Sequence, residues 1–155
     1  MTSANFAVHA DAIIPVSGPE NVLKSHSIVV KQGLIDALMP HVQARALNDI
    51  HHVELPGHVL MPGLVNAHGH AGMTLLRGYA DDMSLASWLN DQIWPLEARW
   101  VSPEFVRDGT DIAAAEMLLS GITTTSDMYF FPNIAAQSLR AAGMRTQLVF
   151  PVMNV

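Results

Sequence analysis

The N-terminal part of the chain is patterned for β-structure. AVHADAIIPV, residues 7–16, is a short run rich in Val, Ile and Ala and predicts a strand. SIVVKQGLIDALMP, residues 27–40, holds two apolar runs about Gln32-Gly33, the pattern of a hairpin whose glycine takes positive φ. HVELPGHVLMPG, residues 52–63, continues in short β-like pieces broken by Pro and Gly.

The rhythm changes at Leu64. LVNA, residues 64–67, is a brief continuous apolar run of the kind found in fully buried parallel strands. SLASWLNDQIW, residues 84–94, spaces Leu85, Trp88, Leu89 and Trp94 for one helix face, with Ser84 as N-cap and Pro95 as stop. A longer helix follows, with Ser102 as N-cap, Pro103 in the first position, Glu104 in the first turn and Gly121 as its end. Phe105, Ile112, Ala115, Met117 and Leu119 predict its apolar stripe. ITTTSDM reads as a strand, NIAAQSLRAAG as a short helix closed by Gly143, and TQLVFPVM as another buried strand.

Strands that alternate with helices imply βαβ units, parallel pairing and an α/β fold. A doubly wound nucleotide-binding fold lacks support, because neither G-x-G-x-x-G nor G-x-x-x-x-G-K-[ST] occurs. A (β/α)₈ barrel takes about 250 residues. Only three barrel-type strands fit between Leu64 and Val155, so a barrel reading makes this sequence the N-terminal part of one. The expected division is a β-rich segment over residues 1–60 and the start of the barrel over residues 61–155.

Composition narrows the function classes. Of 155 residues, 14% are charged, against about 25% in ordinary domains, which predicts that much of the surface is covered by further chain or a partner. Lys and Arg number 8 against 14 Asp and Glu, so the basic footprint of a nucleic-acid binder is missing. With no cysteine, disulfide scaffolds and cysteine-held zinc are excluded. The first residues lack the basic start and cleavage site of a secretory signal. Leu55 to Leu76 carries no Asp, Glu, Lys or Arg, yet its prolines, glycines and histidines argue against a membrane span. A soluble cytoplasmic protein is the expectation.

His68-Gly69-His70 is the sharpest chemical feature. Residues i and i+2 of a strand face the same way, so two imidazoles at a strand's C-terminal end can share a metal ion. Two polar loop histidines in a chain with 8 histidines is the plainer reading of the same residues. The surroundings add to it. Met61-Pro62-Gly63-Leu64-Val65-Asn66-Ala67-His68-Gly69-His70 resembles the first barrel strand of the amidohydrolase superfamily, P-G-x-[VI]-[ND]-x-H-x-H. Leu75-Leu76-Arg77-Gly78, Asp81-Asp82, Trp88-Leu89, Trp94-Pro95-Leu96-Glu97, Gly121-Ile122-Thr123-Thr124-Thr125 and Asp127-Met128-Tyr129 are similar to its deaminase and chlorohydrolase branch. Within that branch the likeness is greatest to the 5′-methylthioadenosine/S-adenosylhomocysteine deaminases, and it runs from about Ala7 to the end of the chain.

The resemblance implies a small β-sandwich, begun by the N-terminal segment, and a metal-dependent (β/α)₈ barrel. One divalent ion, most often zinc, activates a water that attacks the amino-bearing carbon of the purine, and ammonia leaves. His68 and His70 match the first two metal ligands, and Glu97 matches the carboxylate that receives the ribose hydroxyls. No acid/base catalytic residue is expected within the chain; that Glu and His, with the remaining ligands, fall beyond Val155. The implied partners are a small nucleoside and the remainder of the same polypeptide, with no nucleic acid and no membrane; a homo-oligomer stays open. Guanine or cytosine deaminases, triazine chlorohydrolases and a non-catalytic truncated fragment are the alternatives.

Other residues read more blandly. Asp127 ends a strand and suits a structural hydrogen bond better than a ligand's. Trp88 and Trp94 could shape a pocket wall, but at helical spacing they suit a core better. His51, His52 and His58 flank a Pro-Gly turn; a second metal site there is disfavoured, since no carboxylate partner is fixed nearby, and His52 is read as a loop residue. Arg77 and Arg145 suit surface ion pairs. Some relatives that take acidic substrates carry an Arg on the last strand; here TQLVFPVM has Phe150 and none, which favours methylthioadenosine or adenosine over S-adenosylhomocysteine.

Overall fold

The computed structural model describes residues 5–18 and 22–150. The chain divides into two compact units, Met1–Pro62 and Gly63–Val155. Among the described residues, no helix is long and apolar enough to cross a membrane.

The first unit is a five-stranded sheet. Strands β1 (Phe6–Ile13), β2 (Leu23–Lys24), β3 (His26–Lys31) and β4 (Leu34–Pro40) lie in the order β2-β1-β3-β4, and β5 (His51–Leu60) runs parallel to β1. Gln32 and Gly33 both take positive φ, 52° and 79°, which is the two-residue turn that joins β3 to β4. A short helix, α1 (His41–Arg45), follows, and Ala7, Val29 and Ala44 form the core with Ala37, Met39, Leu47 and Ile50 against it. The expected broken pieces around Pro56-Gly57 are one ten-residue strand, and His51, His52 and His58 are strand residues. The pairing steps from Ala10 with Leu55 to Ala12 with Val59, so Pro56 sits in a bulge where its missing N–H costs no ladder bond. Gly57 adopts φ +75° there and donates its N–H to the Asp11 carboxylate at 3.1 Å.

The second unit is a mixed α/β layer. Three parallel strands, β6 (Leu64–Gly69), β7 (Ile122–Met128) and β8 (Arg145–Val149), lie in sequence order. The β6–β7 connection carries a 3₁₀ segment (Ala71–Leu76), a helix that runs from α2 (Leu85–Ser87) through a π-helical stretch (Trp88–Ile93) into α3 (Trp94–Trp100), and α4 (Pro103–Leu119). Helix α5 (Pro132–Ala141) links β7 to β8. The end of the predicted last strand, residues 151–153, lies outside the described residues.

Several local predictions meet their physical reason here. The Ser84 hydroxyl accepts from Ser87 N–H at 3.2 Å, and the Ser102 hydroxyl from Phe105 N–H at 3.1 Å, with Pro103 in the first turn. Gly121 and Gly143 end their helices at φ 79° and 83°.

Three others are corrected. Pro95 does not stop its helix; the preceding π-helical turn widens the backbone where a proline in a regular α-helix would collide with the carbonyl four residues back. On α4 the buried positions are Val106, Gly109, Thr110, Ala113, Ala114 and Met117, while Ile112 and Leu119 of the predicted stripe are exposed. Gly109 decides that face: a side chain there would collide with the carbonyl of Gly72 in the 3₁₀ segment, so the helix packs by its smallest residues. Finally, β6 is not buried; Leu64 and Val65 are 49% and 63% exposed, because β7 is its one strand neighbour among the described residues.

Candidate functional site

His68 sits near the end of β6 and His70 one residue past it. Their rings meet edge to face with centroids 5.0 Å apart. The His70 Nδ1 lies 2.6 Å from the carbonyl oxygen of Met128, at the end of β7. A carbonyl only accepts, so Nδ1 carries the proton and Nε2 presents its lone pair. This is the way a protein fixes the tautomer of a metal-binding histidine. His68 is exposed; its backbone N–H donates to Asn66 Oδ1 at 3.3 Å, and no hydrogen bond engages its ring among the described residues. A Cβ at Gly69 would come within 3.1 Å of the Asn66 side-chain amide, so the glycine leaves that amide its place beside the strand.

Asp127, the residue before Met128, is almost fully buried and accepts the Ala71 N–H on Oδ1 at 2.6 Å. Burial pushes its carboxyl above the usual range, and the Ala71 N–H and the nearby His70 act against that push. The structural role read from the sequence fits this geometry, since the bond fixes the backbone directly after His70. Its second oxygen is buried without a partner among the described residues.

His70 also borders a cavity of about 260 Å³ that contains Glu97. The wall is largely apolar and includes Met73, Trp88, Leu89, Trp94 and Phe130. The two tryptophans thus line a pocket instead of filling a core, and Trp94 is 48% exposed. The Trp88 indole is held by donating to the Ala80 carbonyl at 3.1 Å. Glu97 is half-buried on α3 and accepts from the Tyr129 hydroxyl on Oε1 at 2.8 Å. Burial raises its carboxyl above the ordinary value; the Tyr129 bond and His70 pull it back. The structure therefore brings His70 together with both His68 and Glu97, while His68 does not line the cavity. The sequence analysis gives Tyr129 no role of its own; its signals are its place in the Asp127-Met128-Tyr129 stretch and just beyond a strand end.

The remaining candidates are accounted for elsewhere. His52 bonds to His9 across two strands, His58 Nδ1 donates to the Pro56 carbonyl at 2.9 Å, and His51 is exposed. Arg77 forms a two-pronged exposed ion pair with Glu116 at 2.6 and 2.9 Å, and Arg145 is exposed. Among the described residues no group of three or more His, Asp or Glu side chains is arranged to hold a metal ion. His68 and His70 fit a metal as two donors of a larger set: imidazoles in contact, one of them oriented by the Met128 carbonyl.

Comparison with known proteins sets this geometry in context. Residues 59–155 match the model of the amidohydrolase family. A 5-methylthioadenosine/S-adenosylhomocysteine deaminase of Teredinibacter turnerae is 47% identical over 154 residues, 99% of this chain and 35% of that protein. The crystal structure of an adenosine deaminase from Xanthomonas campestris with bound zinc superposes with a TM-score of 0.80 at 39% identity, covering 92% of this chain and 33% of that one. An atrazine chlorohydrolase from Arthrobacter aurescens shares the fold, with a TM-score of 0.80 at 22% identity over 94% of this chain and 35% of its own. The chain spans about a third of the length of the relatives it matches.

Proposed function

The chain belongs to the amidohydrolase family, and from that premise we propose that it supplies the N-terminal third of a metal-dependent aminohydrolase that deaminates an adenine nucleoside. Residues 1–60, which fall within the first unit, are the opening segment of a small β-sandwich. Residues 61–155 are the first strands and helices of a (β/α)₈ barrel, a reading supported by three parallel strands in sequence order with helices in the crossovers.

The observation that carries the functional reading is one cavity bordered by both His70 and Glu97, with an apolar wall between. A nucleoside needs such a mixture: a flat apolar base, a sugar rich in hydroxyl donors, and an amino-bearing carbon to be delivered to a nucleophile. His68 and His70 would hold a divalent ion, zinc by preference, and the ion would supply the acidity that makes water a nucleophile at neutral pH. The Met128 carbonyl keeps the proton on the Nδ1 of His70 and leaves Nε2 as a donor to the metal. Glu97 accepts hydroxyl protons of the ribose through its carboxylate. Trp88, Trp94 and their apolar neighbours exclude water and flank the base. The net reaction takes up one water and releases one ammonia, and the chemistry needs no oxidant or second substrate.

The test is a substrate panel with the full-length, zinc-loaded enzyme. Adenosine, 5′-methylthioadenosine and S-adenosylhomocysteine are offered beside adenine, guanine and cytosine, and ammonia release is measured. Turnover confined to the nucleosides is expected. Turnover of a free base in preference to all three nucleosides would overturn the reading.

A further inference from the structure

We propose that Tyr129 is a positioning residue, which holds the Glu97 carboxylate in one orientation so that its second oxygen stays free for the sugar of the substrate. The inference rests on the reading of Glu97 given above and adds the residue that sets its geometry.

Three consecutive residues at the end of β7 each fix a different part of the site. Asp127 accepts the Ala71 N–H at 2.6 Å, the Met128 carbonyl accepts from His70 Nδ1 at 2.6 Å, and the Tyr129 hydroxyl donates to Glu97 Oε1 at 2.8 Å. One stretch of backbone therefore sets the ring of a metal-binding histidine and the carboxylate across the cavity from it. Tyr129 can do this because its ring is buried and packed on several sides. It is 5% exposed and packs with Val106 and Ala135, and its ring fills the space over Gly72, where a Cβ would come within 2.6 Å of it. Glu97, by contrast, projects from a helix on a side chain with three rotatable bonds and makes no ion pair among the described residues. Among the described residues Tyr129 is its one hydrogen-bond partner, and Oε2 is left unbonded. A phenol that merely needed its own proton accepted would be served by any carbonyl. Here it reaches the single carboxylate in the cavity, and it favours the charged form that burial disfavours. The titratable groups that face Glu97 are Tyr129 and His70, the latter at the end of β6.

Tyr129→Phe in the full-length, zinc-loaded enzyme removes one oxygen and no volume. Expected is a fall in kcat/KM for adenosine of roughly 5- to 30-fold, carried mainly by KM, with zinc content unchanged. The acidic limb of the kcat/KM profile should move to higher pH, because Glu97 loses the bond that favoured its ionised form. Product affinity, read by calorimetry with inosine, should weaken by a similar factor. In a Glu97→Gln background the same change should cost less than about twofold. Equal losses in both backgrounds would overturn the proposal, since Tyr129 would then act independently of Glu97. A wild-type profile for Tyr129→Phe beside an impaired Glu97→Gln would overturn it while the nucleoside reading stands. Unimpaired nucleoside turnover by Glu97→Gln would instead remove that reading of Glu97, and this proposal with it. Should Tyr129→Phe fail to fold, 3-fluorotyrosine at position 129 keeps the shape and strengthens the donor. The acidic limb should then move to lower pH, and a limb that stays in place would contradict the proposal.

Discussion

The two units of the chain treat the same polar residues in opposite ways. In the first unit His9 and His52 stack with centroids 5.2 Å apart, and every nitrogen is used. His52 Nε2 faces the Leu47 carbonyl at 3.2 Å and must donate, so its Nδ1 accepts from His9 Nε2 at 2.9 Å, and His9 Nδ1 accepts from the Ser27 hydroxyl at 2.6 Å. All four ring nitrogens are thereby engaged within the fold. In the second unit His68 and His70 are also in contact, but only His70 Nδ1 is bonded, to Met128. The carboxylates divide likewise. Glu54 sits in an exposed ion pair with Arg45 at 2.7 Å, whereas Glu97 is half-buried and is held by the Tyr129 hydroxyl. Residue type does not separate a structural histidine from a ligand. On the reading proposed for His68 and His70, what separates them would be whether the second nitrogen is spent within the fold.

Three outcomes break or sharpen this contrast. The largest effect is expected from His68→Ala in the full-length enzyme. It deletes a donor outright and should reduce deaminase turnover by more than the 10- to 100-fold typical of losing an outer hydrogen bond to a metal ligand. Assayed beside it, His58→Ala should be near normal. Next, Glu97→Gln should lower kcat/KM for a nucleoside roughly 10- to 150-fold with zinc retained, the size of a lost charge-assisted bond of about 1.5–3 kcal/mol. Glu54→Gln, which removes an exposed pair, should change stability by no more than about 1 kcal/mol and leave kinetics alone. Kinetic losses of equal size in the two variants would erase the distinction between the carboxylates.

The smallest effect concerns the closed histidine pair. Burial holds His9 below its ordinary value of 6.5, with Arg45, His52 and His41 acting in the same direction and Glu54 against it. The unfolded chain therefore binds the proton first, and stability contributed by neutral His9 is present above about pH 6.5 and lost as pH falls below it. One such proton gives a slope of at most about 1.4 kcal/mol per pH unit. Urea melts of the full-length protein from pH 8 to pH 5 should show it, and His9→Gln should flatten it. A slope unchanged in His9→Gln would assign the acid sensitivity to other groups.

Legibility in the sequence followed the range of the interaction. The Gln32-Gly33 turn, the Ser102-Pro103 start of α4 and the glycine ends at Gly121 and Gly143 are set by neighbours within a few positions, and each was readable. The parallel pairing of β5 with β1, the helix that continues past Pro95 and the buried face of α4 were not. They depend on Asp11 meeting Gly57, on a widened turn and on Gly72 meeting Gly109. The site divides the same way. The spacing of His68 and His70 on a strand was visible, and resemblance supplied Glu97. The bonds that tie them to Met128 and Tyr129 span 58 and 32 residues and carry no local signature.

The central claim is that the open histidine pair, and not the closed one, holds the metal. Zinc per chain in the purified full-length protein, measured by elemental analysis, tests it directly when His70→Ala is compared with His52→Ala. Loss of zinc in His70→Ala with near-normal content in His52→Ala is the predicted result. Full zinc occupancy in His70→Ala would contradict it.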